Sequence, residues 1–251
     1  MLKGKKGLVI GVANEHSIAF AAARMLKAQG AEVIATCLND KARSYVEPVT
    51  EPLAIALLNL DVEAEGELES VVDRVIAQYG QIDFIVHSIA FAPLDDLHGP
   101  LHASSAEGFK RAMDISCHSF IRLAHLARPH MPNGGTLMTM SYLGAHLAVP
   151  NYGLMGPVKA ALESSVRYLA SELGPDNIRV HAISPGPIAT RAASGIAHFD
   201  QLMKDTAQRN PLKRLVHQDE VAGLVAFLAS DLANGMTGQT LYVDAGEHLV
   251  R

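Results

Sequence analysis

The stretch SYLGAHLAVPNYGLMGPVKAALE, from Ser141 to Glu163, holds two tyrosines and one lysine. A phenol beside an ammonium is a workable general acid, because a nearby positive charge lowers the tyrosine pKa from its unperturbed ~10 and suits it to proton donation near neutral pH. Tyr152 and Lys159 have a spacing that allows this. On one continuous helix their separation is ~700° of rotation with ~10.5 Å between Cα atoms. Lys159 would lean back toward Tyr152, since long helical side chains point to the helix N-terminus. The competing reading is a core tyrosine and a surface lysine on an ordinary amphipathic helix. Pro157 bears on the choice. Inside a helix it lacks an N–H and clashes with a preceding carbonyl, whereas a helix capped by Gly156 with Pro157 at its first position leaves Tyr152 on the entering loop. The pair would then be close without sharing a helix.

The frame that positions these groups is legible in alternating runs. Short apolar runs begin at Gly7 (GLVIGV), Ala31 (AEVIAT), Leu53 (LAIALLNL), Phe84 (FIVHSI), Gly135 (GTLMTMS), Arg179 (RVHAISP) and Thr240 (TLYVDA). Most are near-continuously apolar, as strands buried on both faces of a parallel sheet should be. Between the first two, Ile18, Ala21, Ala22, Met25 and Leu26 recur at helical spacing, and Gly30 stands where a helix would end. The rhythm predicts an α/β fold, a Rossmann-type doubly wound parallel sheet of about seven strands with flanking helices. No composition shift or internal repeat divides the chain, so residues 1–251 are expected to form a single domain. Ligands of such sheets bind beyond the carboxyl ends of the strands, and the tyrosines follow the fifth run.

The first run leads into GVANEHSIAFAAARML. Gly11 at a strand end would let the backbone approach a pyrophosphate held at the N-terminus of the next helix, and Ser17 offers a hydroxyl for the helix cap or the phosphate. A strict G-x-G-x-x-G is absent, so an ordinary strand-to-helix turn reads this segment equally well. After the second run, TCLNDKAR has no acid at Thr36, Cys37 or Leu38. An acid there would hold the adenosine ribose and repel a 2′-phosphate. Lys41 and Arg43 are either acceptors for that phosphate or solvated charges opening a helix, which leaves the cofactor preference open on these residues.

Composition narrows the classes. Of 251 residues 49% are apolar and 5% aromatic, with no Trp, and the net charge is -5. That suits tightly packed helices on a sheet and gives no reason to expect nucleic acid as a partner. Cys37 and Cys117 lie in apolar segments without CxxC spacing, which fits a reducing cytoplasm. Twelve scattered histidines without an HExxH pair favour a metal-free protein. Three glycines and a lysine pair interrupt the N-terminal MLKGKKGLVIGVA, unlike a signal peptide. No apolar run approaches the ~18 residues of a membrane-spanning helix, so no membrane insertion is expected.

Taken together the motifs resemble a short-chain dehydrogenase/reductase and, more narrowly, the divergent bacterial enoyl-acyl carrier protein reductase family or a close paralogue. Conventional short-chain reductases have a TGxxxGxG loop, an NNAG segment after strand four and a Tyr-x3-Lys pair. This chain has GVANEHSIA, HSIAFAP and Tyr-x6-Lys in their places, which is the divergent subgroup's pattern, and DISCHSF, SYLGA, PNY, GPI and AASGI resemble it in order. Arg191 is a departure that puts a cation within GPIATRAAS.

The resemblance implies reduction of the trans-2 double bond of an enoyl thioester in fatty-acid synthesis, on acyl carrier protein or coenzyme A, with NADH preferred and NADPH possible. It makes Tyr152 the phenol acting at the thioester oxygen, Lys159 a ligand of the nicotinamide ribose, and Tyr142 a second active-site tyrosine bordering the substrate. Gly11, Ser17 and Ile18 would line the pyrophosphate, Asp61 and Val62 would hold adenine, and Ile89 would pack beside the cofactor. Ile188, Ala189, Thr190, Arg191 and Ala192 would cover nicotinamide and phosphate. Ala92 would contact substrate through its backbone, and Ile196, Phe199 and Met203 would line a substrate-covering flap at about 191–208. Arg209, Lys213 and Arg214 would face an acidic carrier protein or simply be solvated. A homotetramer is implied too. A carbonyl reductase on the same fold and a dinucleotide-binding regulatory protein without turnover are the alternatives.

Overall fold

The computed structural model describes residues 1–190 and 199–250. Within them β1 (Lys6–Ile10), β2 (Glu32–Cys37), β3 (Ala56–Asn59), β4 (Phe84–His87), β5 (Gly135–Met140), β6 (Ile178–Pro185) and β7 (Thr240–Val243) form one sheet. Its spatial order is β3-β2-β1-β4-β5-β6-β7, and every neighbouring pair is parallel. Each run singled out in the sequence supplies one strand. The third is shorter than its apolar stretch because Glu51–Leu53 is a 3-10 turn ended by Ala54 in the left-handed region.

The crossovers carry α1 (Ile18–Ala28), α2 (Asp40–Thr50), α3 (Glu67–Tyr79), α4 (Leu94–His98), α5 (Ala106–Met113), α6 (Ser119–Ala127), α7 (Met155–Leu173), α8 (Phe199–Arg209) and α9 (Gln218–Ala229), with one π-turn at Asp114–His118 between α5 and α6. Alternate strand residues face opposite layers. Leu8, Ile10, Ile34, Ile85, Leu137 and Val180 pack with the apolar faces of α3, α6 and α7. Val9, Val33, Ala35, Val86, Met138 and Ile183 pack with those of α1 and α9. Both faces are covered, which is why the strands read as continuous apolar runs, and each fully buried Leu, Ile or Val stabilises the fold by about 1.5–3 kcal/mol.

β1 lies between β2 and β4, so the chain winds outward in opposite directions from this point. Connections leave such neighbours on opposite faces of the sheet and open a crevice at their carboxyl ends. Gly11 stands at that switch point with φ +97°, and a Cβ there would lie 2.3 Å from the Ser88 carbonyl oxygen. A third apolar cluster of Ala92, Ala112, Val149, Tyr152, Leu154, Met155 and Val158, with Tyr142 packed against it, adjoins the exits of β4 and β5.

Candidate active site

The carboxyl-end rim gathers most of the expected site residues. Ser17 caps α1: its hydroxyl accepts from Phe20 N–H at 3.2 Å and donates to the Asn14 carbonyl at 2.7 Å. The first turn of α1 has no acid, so the positive end of the helix dipole is left uncompensated and suits an anion. Ile18 is the first residue of that helix. Asp61 and Val62 follow β3, where the Asp61 N–H donates to Glu67 Oε2 at 2.7 Å and the Val62 carbonyl accepts from Arg122 at 2.7 Å. Ile89 is half-buried just beyond β4, and Ile188, Ala189 and Thr190 continue from β6. Arg191, Ala192 and Ile196 lie outside the described residues. Phe199 and Met203 are half-buried on α8.

α7 begins at Met155, with Leu154 as its cap. Tyr152 therefore stands on the loop ahead of the helix, and the shared-face geometry on a continuous helix does not hold. The alternative start, with Gly156 as cap, is also corrected: Pro157 is the third helical residue. The first four N–H groups of a helix have no partner within it, so proline costs no bond there. The turn after β5 brings the two tyrosines together. The Tyr142 and Tyr152 rings meet edge to face, 4.8 Å between centroids. Gly144 lies under Tyr152 so closely that a Cβ would be 2.4 Å from Cδ1. Lys159 is 4% exposed, and its ammonium donates to the Met140 carbonyl at 2.7 Å.

Burial sets the electrostatics. Desolvation pulls the Lys159 ammonium down to about 8, against the favourable charges of Cys117 and Glu163. Tyr152 moves the opposite way to the expectation from a phenol–ammonium pair: desolvation pushes its pKa up, and the charges of Tyr142 and Glu163 add to the rise. A phenol so placed keeps its proton at neutral pH and donates a hydrogen bond rather than standing as phenolate. The single hydrogen bond given by Lys159 among the described residues leaves two of its three donors for a ligand. A buried ammonium, a helix N-terminus without acids and a glycine at the switch point are the donor set that a dinucleotide's ribose and pyrophosphate require, so the residues fit a nicotinamide cofactor.

Several site-building residues escaped the sequence reading. Ser116, in the π-turn, accepts from the Phe91 N–H at 2.9 Å and donates to the Phe91 carbonyl at 3.0 Å, clamping the loop that carries Ala92. Arg111 lies over the Phe91 ring at 4.6 Å and holds Glu63 in a two-bond ion pair at 2.6 and 2.7 Å, joining the loops beyond β3 and β4. His87, at the end of β4, bonds Thr139 Oγ1 at 3.1 Å and Ser119 Oγ at 2.8 Å. Glu163 on α7 is 1% exposed. Ser116 lies in DISCHSF, His87 and Phe91 in HSIAFAP, and Glu163 ends the stretch that begins at Ser141; these motifs stand out in the sequence, but no local pattern gives these residues their roles. Among the described residues no cluster of three or more His, Cys, Asp or Glu side chains is placed to hold a metal, and no helix is long and apolar enough to cross a membrane.

Comparison with known proteins supplies the family. The profile described as enoyl-(acyl carrier protein) reductase matches residues 11–248. The NADPH-type enoyl-acyl-carrier-protein reductase FabI of Staphylococcus aureus (strain MRSA252) is 42% identical over 253 residues, covering 100% of this chain and 99% of the relative. The NADH-type FabI of Nostoc sp. is 46% identical, covering 99% and 98%. The crystal structure of the Anaplasma phagocytophilum reductase in complex with NAD has a TM-score of 0.95 at 42% identity, covering 99% of this chain and 95% of that one. The Bacillus cereus reductase with NADP+ and indole naphthyridinone gives 0.96 at 40%, covering 100% and 98%. With the seven-stranded sheet, the paired tyrosines and the buried lysine, these likenesses establish that the chain belongs to the enoyl-(acyl carrier protein) reductase family of short-chain dehydrogenase/reductases.

Proposed function

We propose that this protein reduces the trans-2 double bond of an enoyl thioester, carried on acyl carrier protein, in fatty-acid synthesis, using a reduced nicotinamide dinucleotide. The assignment of roles is supported by two observations at the carboxyl rim, the ring-packed tyrosines and the buried Lys159 ammonium held on the Met140 carbonyl at the end of β5. Gly11, Ser17 and Ile18 hold the pyrophosphate, Asp61 and Val62 the adenine, Ile89 the dinucleotide's flank and Lys159 its nicotinamide ribose. Ile188, Ala189 and Thr190, continued by Arg191 and Ala192, cover the nicotinamide end. When bound, the reduced cofactor supplies a hydride to the β-carbon, so negative charge develops on the thioester oxygen. Tyr152 donates its phenolic proton in a hydrogen bond to that oxygen, in a site where burial strengthens the bond. Lys159 adds a positive field, and Tyr142 and the backbone of Ala92 border the acyl thioester. Residues at about 191–208, with Ile196, Phe199 and Met203, act as a flap over the acyl chain.

The exit of β2 favours NADH. Arg43 is engaged with Asn59 Oδ1 at 3.1 Å, the Leu57 carbonyl at 3.0 Å and Glu47 at 3.1 Å. Asp40 accepts from the same Asn59 at 2.6 Å, so a 2′-phosphate would meet a carboxylate and an already committed guanidinium. Arg214 is likewise held by Glu220 through bonds of 2.8 Å, which leaves Arg209 and Lys213 as the exposed cations for an acidic carrier protein. A homotetramer is the expected assembly.

One assay tests the reading. NADH and NADPH oxidation is followed with a crotonyl thioester and then an acetoacetyl thioester, for wild type and Tyr152→Phe. Enoyl reduction that falls in Tyr152→Phe is the expected result. Turnover of the ketone alone would make the chain a carbonyl reductase, and undiminished enoyl reduction by Tyr152→Phe would remove the proton-donor role.

A further inference from the structure

Lys159 and Glu163 are one helical turn apart and share a face of α7, and together they grip successive residues at the exit of β5. The Lys159 ammonium donates to the Met140 carbonyl at 2.7 Å, and Ser141 Oγ donates to Glu163 Oε1 at 2.5 Å. The next residue, Tyr142, packs on Tyr152. The chain then runs through Leu143–Ala145, where Gly144 lies under the Tyr152 ring. His146 closes the circuit, with Nε2 at 2.6 Å from Glu163 Oε2. The carboxylate is 1% exposed while the imidazole is 49% exposed. Oε1 is hydrogen-bonded to one end of this short turn, while Oε2 makes a close ionic contact with the other end and has no hydrogen-bond partner among the described residues; losing either contact leaves the buried carboxylate less compensated, so the pair fixes the turn.

We propose that Glu163 is a positioning residue for the reduction: with Ser141 and His146 it staples residues 141–146, and so sets the placement of Tyr142 and Tyr152. This deepens the proposed function and rests on it. The titratable groups facing the pair are Cys117 from the π-turn, Tyr152 and His146 from the turn, His87 from β4 and Tyr242 from β7. Burial lowers the Lys159 pKa to about 8 and the Glu163 charge opposes that fall. Without the carboxylate, Lys159 sheds its proton at lower pH.

The test compares wild type, Glu163→Gln, His146→Ala, His146→Gln and Ser141→Ala. It measures kcat with a crotonyl thioester across pH, and NADH dissociation by the fluorescence of the bound nucleotide. Glu163→Gln should lower kcat about tenfold or more, as loss of catalytic alignment does. NADH affinity should change less than about threefold, and the alkaline limb of kcat should move to lower pH. His146→Ala should lower kcat, and His146→Gln, which keeps a donor, should recover most of it. Folded variants with unchanged kcat and an unmoved alkaline limb would overturn the proposal. Should Glu163→Gln fail to fold, Ser141→Ala removes the hydrogen bond at Oε1 and His146→Ala the ionic contact at Oε2, and both carry the same readouts. A wild type unable to reduce the enoyl thioester would refute the functional reading itself, whereas an active wild type with indifferent variants refutes the staple alone.

Discussion

Gly144→Ala is the smallest change that tests whether the placement of Tyr152 governs turnover. A Cβ at position 144 would stand 2.4 Å from Tyr152 Cδ1 and 2.7 Å from Cε1. Carbon atoms settle at about 3.5–4.0 Å, so the ring and the turn must separate by about 1 Å or more. Little room exists for this: Tyr152 is 7% exposed, packed in its apolar cluster and against the Tyr142 ring. Overpacking of that kind costs about 1–3 kcal/mol of stability, and a misplacement of about 1 Å at a catalytic group costs about 100-fold in rate. The expected result is a folded protein with a lower Tm, a kcat for crotonyl thioester reduction down about 100-fold and nearly unchanged NADH affinity. Steady-state kinetics, nucleotide fluorescence and thermal unfolding measure the three. A folded Gly144→Ala with wild-type kcat would show that Tyr152 does not act from the position described here.

Other perturbations separate the remaining parts. Ser116→Ala strips both bonds from Phe91, an exposed residue, at about 0.5–1.5 kcal/mol each; KM for the thioester should rise through the loosened Ala92 loop, with NADH binding preserved. Asp40→Asn removes the carboxylate that faces a 2′-phosphate and should raise kcat/KM for NADPH by about tenfold relative to NADH, as measured by cofactor titration; an unchanged ratio would place discrimination elsewhere. His87 is fully buried and desolvation lowers its pKa to about 3, with the Lys159 charge adding to the fall. The folded state therefore binds fewer protons than the unfolded one between about 3 and the ordinary 6.5. Its contribution to stability is present above 6.5 and is lost as pH falls through that window. His87→Asn should flatten the acid side of the stability curve, as read by denaturant unfolding at several pH values.

The sheet was legible because its signal is local and repeated. Seven runs of β-branched and aliphatic residues, most of them buried on both faces, point to parallel strands covered on both sides. The rim was legible in outline for the same reason: once the strands are known, Gly11, Ile89, Tyr142 and Ile188 must sit at their carboxyl ends. The Tyr152–Lys159 relation was read less well. Its spacing suits two turns of helix, but the helix starts at Met155, and spacing alone could not say where the backbone turns.

What the sequence by itself determined is the fold class, the carboxyl-end rim as the place of the site and the chemical types available there, because strand period, turn residues and side-chain chemistry are properties of neighbouring residues. Tertiary structure alone decided that Tyr152 would stay protonated rather than become phenolate. Its pKa depends on how much water the fold removes, and burial raises it, with the charges of Tyr142 and Glu163 adding to the rise. It likewise decided that Glu163 would reach Ser141 and His146, and that Ser116 would clamp Phe91 across 25 residues. Those contacts arise where separate elements meet, and no local pattern records them.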